Sequence, residues 1–495
     1  MSDLGLFAGL WVPYALLTYR FWFICDDAYI SFRYARNWAA GEGLRYNLGG
    51  HVPVEGYSNF LWVAACTVIQ YFNGEITFWA PVLSSLCGTV LLYLVWHTLR
   101  HRLGMHIWIA SIATLSLGCS PAFPVWSTSG LETIPFALLL FVTFERLILR
   151  EQGPAPLAAG VAGLAMSLMR VDGVYWAALL AVLLILVNAG TQRKVWRAAF
   201  IYGAIVGFSY AIYFLCRYVY YGLLFSNSVY VKMALSIPAL MRGFDYLAVQ
   251  YLTLLTPFLM LPGIVVALRR KRRSLGLPVA VVALAVVGFT VVASGDFMAF
   301  ARLLVPGLAF NTVLFAWLLQ DLWHDSTVRQ VMTVSAGVAL VGTGFLPAVD
   351  VHLVPESVRE AFHFRLNMGK HYRSEFAQWQ FEKENAEQWG AVGRTIRAYA
   401  KPGDSMVAGA IGAVGYYSDL FIYDGFGLVT RKVAARTVDG PIRMSPGHDK
   451  AVSNTFFLAD NPTLLKVGML VGRSRDEVAE EVRRRGWGLK SLGLD

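Results

Sequence analysis

The chain has 495 residues, of which 56% are hydrophobic and 15% charged, and its mean hydropathy is +0.52. Its apolar residues arrive in long blocks, which excludes an ordinary soluble domain and gives a polytopic α-helical membrane protein. The net charge of +10 suits contact with membrane lipids or phosphate. Nucleic acid is not an expected partner, because the basic residues sit in short turns between apolar spans and not on one soluble face.

The first apolar block covers residues 4–24. It lacks a basic leader and a small-residue cleavage site, so it is expected to persist as a membrane helix. Just beyond it two adjacent carboxylates, Asp26 and Asp27, open the stretch DDAYISFRYARNWAAGEGLRYN. Carboxylates at a bilayer surface are costly to desolvate; a general base is the first explanation, a solvated loop start the plain one. Tyr29, Phe32, Arg33, Arg36 and Trp38 follow at near-helical spacing, and NFLWVAACTVIQYF at 59–72 is apolar but short for a crossing. Two interfacial helices are therefore predicted, flanking a turn broken by glycines and Pro53.

Further spans are predicted at 76–99, 107–124, 131–149, 155–169, 173–190, 198–216, 246–268, 277–293, 303–320 and 330–348, giving about eleven transmembrane helices. Basic turns at 100–106, 146–150, 193–197, 269–273 and around Arg329 share one side, which the positive-inside rule makes cytoplasmic. An odd count then puts the amino terminus inside and the tail outside. The five cysteines have neither metal-like nor disulfide-like spacing.

On this topology every unusual polar motif falls at an outer loop: DDAYI, VEGYSN (54–59), SGLET (129–133), RVDG (170–173), SNSVYVK (226–232) and SGDFMAFAR (294–302). Any one of them reads equally well as a solvated loop; together they point to a functional cavity. Arg170, Lys232 and Arg302, with Arg33 or Arg36, are the candidate ligands for a lipid phosphate at headgroup depth. Glu55, Tyr57 and Asp296 are candidate substrate contacts. The alternatives are pairing of Arg170 with Asp172 and of Arg302 with Asp296, and snorkelling of Lys232 to the interface. Ser129 and Glu132 have the spacing of a capping box, which is favoured over a catalytic Glu132.

Residues 1–349 thus form one transmembrane module, and 350–495, with ordinary charge density, a small soluble α/β domain. In that domain, helices are predicted at 384–400 and 475–485 and strands at 406–410, 421–423 and 465–470. GAIGAVG at 409–415 misses the glycine spacing of a dinucleotide loop. His448, Asp449 and Lys450 follow a Pro-Gly turn, His448 being a candidate substrate contact and a helix start the alternative. His51 reads as a loop residue. No zinc-like spacing occurs and no cofactor is expected, though the carboxylates leave a divalent ion open.

Chemistry follows from these residue types. When sugar leaves a lipid monophosphate, the leaving group departs as an anion that cations stabilise, so no proton donor is needed and one carboxylate base suffices. Glycoside hydrolysis differs, because there two carboxyl groups share acid and base roles. A transporter or flippase for a lipid-linked sugar is the competing class. It calls for charges at the bilayer midplane and internal repeats, and neither is evident. A non-catalytic scaffold would tolerate loss of both Asp26 and Asp27.

The run DDAYISFRYARNWAAGEGLRYN, with VEGYSN, GLET, SGDFMAFARLLVP, AGAIGAVGYYSD and PGHDK, resembles the polyprenyl-phosphate-dependent C-type glycosyltransferases. The likeness is nearest to the subgroup that includes actinobacterial terminal arabinofuranosyltransferases, and it covers the first sixty residues best. It implies a bundle of membrane helices with interfacial helices in the first outer loop. It also implies an Asp of that loop as base, here Asp27 or Asp26, and inversion of the anomeric centre. The implied donor is decaprenyl-phosphoryl arabinofuranose or a related polyprenyl-phosphate sugar, used at the outer face of a bacterial cytoplasmic membrane. VEGYSN departs from the VEANTS-like turn of the arabinosyl enzymes, which leaves open another sugar and whether the acceptor is a cell-wall glycan, a glycolipid or a surface protein.

Overall fold

The computed structural model describes residues 3–49, 52–149, 153–187, 192–232, 236–254, 260–269, 273–323, 326–361, 373–437, 446–465 and 480. Helix α1 (Asp3–Arg20) ends earlier than expected, and an extended segment leads into α2 (Asp26–Ala39). The glycine-broken turn follows, then α3 (Phe60–Tyr71), which packs closely on α2. These are the two helices expected in the first outer loop.

The bundle continues with α4 (Ile76–His97), α5 (Ile107–Cys119), α6 (Ala122–Thr128), α7 (Thr133–Phe144), α8 (Pro156–Met169), α9 (Gly173–Val187) and α10 (Gln192–Tyr221). The span expected at 107–124 is broken: α5 and α6 meet at an angle of 53°, across Ser120 and Pro121, where proline cannot continue the α5 ladder. SNSVYVK, expected as loop, contains the short helix α11 (Asn227–Lys232). Then come α12 (Ile237–Leu254), α13 (Met260–Ala267), α14 (Arg273–Val292), α15 (Leu308–Leu322) and α16 (Thr327–Phe345). By length and composition alone, five described helical stretches are able to cross a membrane, or six if the bent α5–α6 pair is one span. Of the other expected crossings, those at 155–169 and 173–190 are shorter apolar helices.

The hydrophilic region contributes α17 (Glu356–Glu360), α18 (Glu375–Tyr399), β1 (Ser405–Ala408), α19 (Gly412–Ser418), β2 (Phe421–Asp424) and α20 (Arg431–Ala434). Ser374 caps α18, its hydroxyl accepting from the Ala377 amide at 3.1 Å, so this helix starts well before the predicted 384. The two strands pair in parallel, with Ser405 opposite Phe421 and Ala408 opposite Asp424. The helix predicted at 475–485 and the strand at 465–470 lie essentially outside the described residues, but Leu464 bridges to Met406.

This region packs directly on α2 and the turn that follows it. Arg33, fully buried, donates to the carbonyls of Gly415 and Leu420, both at 2.7 Å, and lies 4.2 Å from the Tyr46 ring. Arg36 donates to the Tyr416 carbonyl at 2.8 Å and pairs with Asp419 at 2.6 Å. The structure thus commits both arginines to joining α2 to α19, and the phosphate role read for them from sequence has no free guanidinium to carry it. The Gly415 backbone approaches so closely that a Cβ there would sit 1.9 Å from the Tyr46 hydroxyl. Arg33→Met removes two charge-assisted bonds and leaves two carbonyls without their donors, at a cost of about 3 kcal/mol. A clearly lowered unfolding temperature in detergent is the expected outcome; reduced lipid-phosphate binding at unchanged stability would contradict it.

Candidate active site

The six polar motifs expected at outer loops converge. Cys25 N–H donates to the Ser129 carbonyl at 3.1 Å, Val171 N–H to Ser58 at 2.9 Å and Asn227 N–H to Glu55 at 2.9 Å. The Trp126 indole donates to the carbonyls of Ala299 and Phe300, each at 3.1 Å, which brings in the SGDFMAFAR segment. Beside the start of α2 lies a cavity of about 680 Å³. Its wall includes Asp26, Asp27, Phe297, Glu382, Trp389 and His448, from both the bundle and the hydrophilic region.

The two adjacent carboxylates have different surroundings. Asp26 accepts from the backbone amides of Gly412 at 3.0 Å and Ala413 at 2.8 Å, at the start of α19. A Cβ at position 412 would lie 1.8 Å from the Asp26 carbonyl oxygen, so only glycine permits this contact. Asp27 has no hydrogen-bond or ion-pair partner among the described residues, and it opens onto the cavity. The charges of Lys232, Arg302 and His448 all act on or are acted on by it.

The candidate cations also separate. Arg170 bonds Asp172 at 2.9 Å and approaches Glu132 at 3.7 Å; Arg302 bonds Asp296 at 2.5 Å. Both pairings weighed against the phosphate role are therefore present. Lys232 has no such partner among the described residues. Its charged form is disfavoured first by desolvation and then by Arg302, so a bound anion would be the group that stabilises it. His448 is packed against Phe426, 4.3 Å between ring centres, and Phe297, 5.3 Å, and burial lowers its pKa.

Other sequence candidates are placed elsewhere. Glu55 is buried and ion-paired with Arg217, whose Nε lies 2.7 Å away, and Tyr57 is buried with its hydroxyl 3.2 Å from that of Tyr221. Neither lines the cavity. Glu132 makes no capping bond to α7; its carboxylate accepts from Asn59 at 2.8 Å and lies 3.7 Å from the Arg170 guanidinium. Residues 446–450 form turns and not a helix start, with Asp449 bound through both oxygens to Arg242 at 3.1 and 3.0 Å. His51 lies outside the described residues.

Sequence reasoning missed α18 as part of the wall. Gln378, Glu382, Asn385 and Trp389 recur at helical spacing and form one stripe along it. Their periodicity is visible in the sequence once the helix is begun at Ser374.

The crystal structure of ArnT from Cupriavidus metallidurans bound to undecaprenyl phosphate superposes with a TM-score of 0.59, over 96% of this chain and 97% of that one, at 14% identity. The fold is that of ArnT. The apo structure of the same protein matches with a TM-score of 0.56 over 87% of this chain and 88% of its own, again at 14% identity. A family described as a domain of unknown function (DUF8728) matches residues 371–487, and no curated protein matches by sequence. An ArnT-like fold makes the chain a multi-pass membrane protein with a small α/β region at its carboxyl end.

Burial pushes the Asp26 carboxyl up from 3.8 to about 6, the α19 amides acting the other way. Because the folded value is the higher one, the folded state keeps this proton where the unfolded chain has lost it. The resulting stability is complete below pH 3.8 and is lost as pH rises through about 6. Asp424, also raised to about 6 by burial, adds a change of the same sign. Asp26→Asn should therefore show a shallower fall in unfolding temperature over this range than the wild-type chain, with the Asp424 share left. An unaltered slope would show that Asp26 does not titrate there.

Proposed function

We propose that this protein is an inverting glycosyltransferase that moves a sugar from a polyprenyl monophosphate to a hydroxyl of a cell-envelope glycan, lipid or surface protein. The reaction is placed at the outer face of the bacterial cytoplasmic membrane. The observation that carries this reading is the division between the two carboxylates: Asp26 is held by the α19 amides, while Asp27 opens onto the cavity without a partner among the described residues, its charge acting on Lys232, which likewise has no hydrogen-bond or ion-pair partner among them.

In the proposed step Asp27 takes the proton of the acceptor hydroxyl as its oxygen attacks the anomeric carbon. The bond from that carbon to the phosphate oxygen breaks, and its electron pair leaves with the lipid. A single displacement inverts the centre. The phosphate gains one negative charge as it changes from diester to monoester, and Lys232 and Arg302, with Arg170 behind them, meet that charge. His448 and Asp296 complete the substrate side, the latter through Arg302. The ArnT-like fold supports the lipid-phosphate donor, since that protein is seen with undecaprenyl phosphate. Arabinofuranose as the sugar is supported by the sequence likeness of the first outer loop.

The test is transfer in nanodiscs, with polyprenyl-phosphoryl arabinose and a panel of acceptors. Asp27→Asn should lower turnover by about 10²–10⁴-fold while leaving donor binding intact. Turnover at the wild-type rate would remove Asp27 as the base. Lys232→Met should raise the donor KM by roughly tenfold or more, the worth of one charge-assisted bond. An unchanged KM would move the phosphate away from Lys232.

A further inference from the structure

The segment 294–302 is backbone-strained. Ser294, Gly295, Phe300 and Ala301 have φ of 65°, 71°, 48° and 51°, and three of these carry side chains that disfavour the left-handed region. Such a conformation persists only when its surroundings impose it. Arg302 directly follows, and its partner Asp296 lies within the same segment.

The hydrophilic region supplies much of that support. On α18, Glu375 accepts from the Phe300 amide at 2.5 Å and Glu382 from the Ala299 amide at 2.9 Å. Gln378 donates to the Phe297 carbonyl at 3.3 Å and to Glu382 at 2.9 Å, and Gln250 of α12 donates to Glu375 at 3.1 Å. The other shoulder is tied through Ser294, which accepts from Arg242 Nε at 2.7 Å; Arg242 in turn is bound by Asp449. Glu375 and Glu382 are both buried. A buried carboxylate needs donors, and left-handed residues turn their amides away from the local helix ladder, so each requirement meets the other.

We propose that Glu375 and Glu382 are positioning residues for the Arg302–Asp296 pair, so that the phosphate side of the site is built by the hydrophilic region as well as by the bundle. The proposal rests on the phosphate reading of Arg302. It predicts that Glu375, which does not line the cavity, governs lipid-phosphate affinity, and only through Arg302.

Two measurements on the full-length protein in nanodiscs test it: hydrogen exchange of the peptide spanning 296–304, and affinity for undecaprenyl phosphate read by tryptophan fluorescence. Glu375→Ala should speed exchange and weaken binding on the order of tenfold, the scale of a small misplacement. Glu375→Gln, whose amide oxygen still accepts from Phe300 N–H, should restore most of both. In an Arg302→Met background, Glu375→Ala should weaken binding no further, because the two changes remove one interaction. Unchanged exchange, or an equal additional loss of affinity in that background, would overturn the proposal. If the wild-type chain takes up no undecaprenyl phosphate while exchange still responds to Glu375, the phosphate reading fails and the hold of α18 on the segment stands. Should Glu375→Ala not accumulate, Glu375→Asp, whose shorter carboxylate withdraws from the Phe300 amide, gives the same pair of readouts.

Discussion

The contact between the Asp26 carboxylate and the first amides of α19 organises the site around it. It fixes the start of α2 against the hydrophilic region and so decides which way each of two neighbouring carboxylates points. On a helix, consecutive side chains diverge by roughly 100°, so holding Asp26 toward α19 turns Asp27 toward the cavity. Arg33 and Arg36, further along α2, bond the other end of α19 at Gly415, Tyr416, Asp419 and Leu420. A short helix that would be marginal alone is thereby clamped at both ends, and one wall of the cavity is fixed with it.

The membrane class and the sites of most helices were legible because hydrophobic block length is a local signal. The convergence of the polar motifs was legible too, since the charge pattern of the basic turns assigned them all to loops of the opposite side. The partners were not. Arg33 looked like a phosphate ligand because a sequence shows that an arginine is near an interface but not that the carbonyls of residues 415 and 420 will meet it. Glu55 and Tyr57 failed for the same reason, as their partners Arg217 and Tyr221 come from the far end of α10. GAIGAVG was read by its glycine spacing and set aside as a nucleotide loop. Its meaning is steric: Gly412 and Gly415 stand where a Cβ would strike Asp26 and Tyr46. The capping-box reading of Ser129 and Glu132 weighed a local pattern without the Arg170 cation that competes for the carboxylate.

Charge pairing in the site separates positions that composition makes equivalent. Within ion-pair distance Arg170 has two carboxylates, Arg302 has one and Lys232 has none among the described residues. A paired guanidinium is already oriented and largely neutralised, so it adds field at little reorganisation; an unpaired ammonium held in a desolvated position gains most when an anion arrives. An incoming lipid phosphodiester with one negative charge would therefore find its main new contact at Lys232. In the proposed reaction the second charge, which develops only as the sugar departs, would be met by Arg302, whose place is fixed by Asp296 and by the strained segment beneath it. Binding and leaving-group stabilisation would thus fall to different side chains, and the stronger interaction would be made in the transition state, where it accelerates transfer without tightening the ground state.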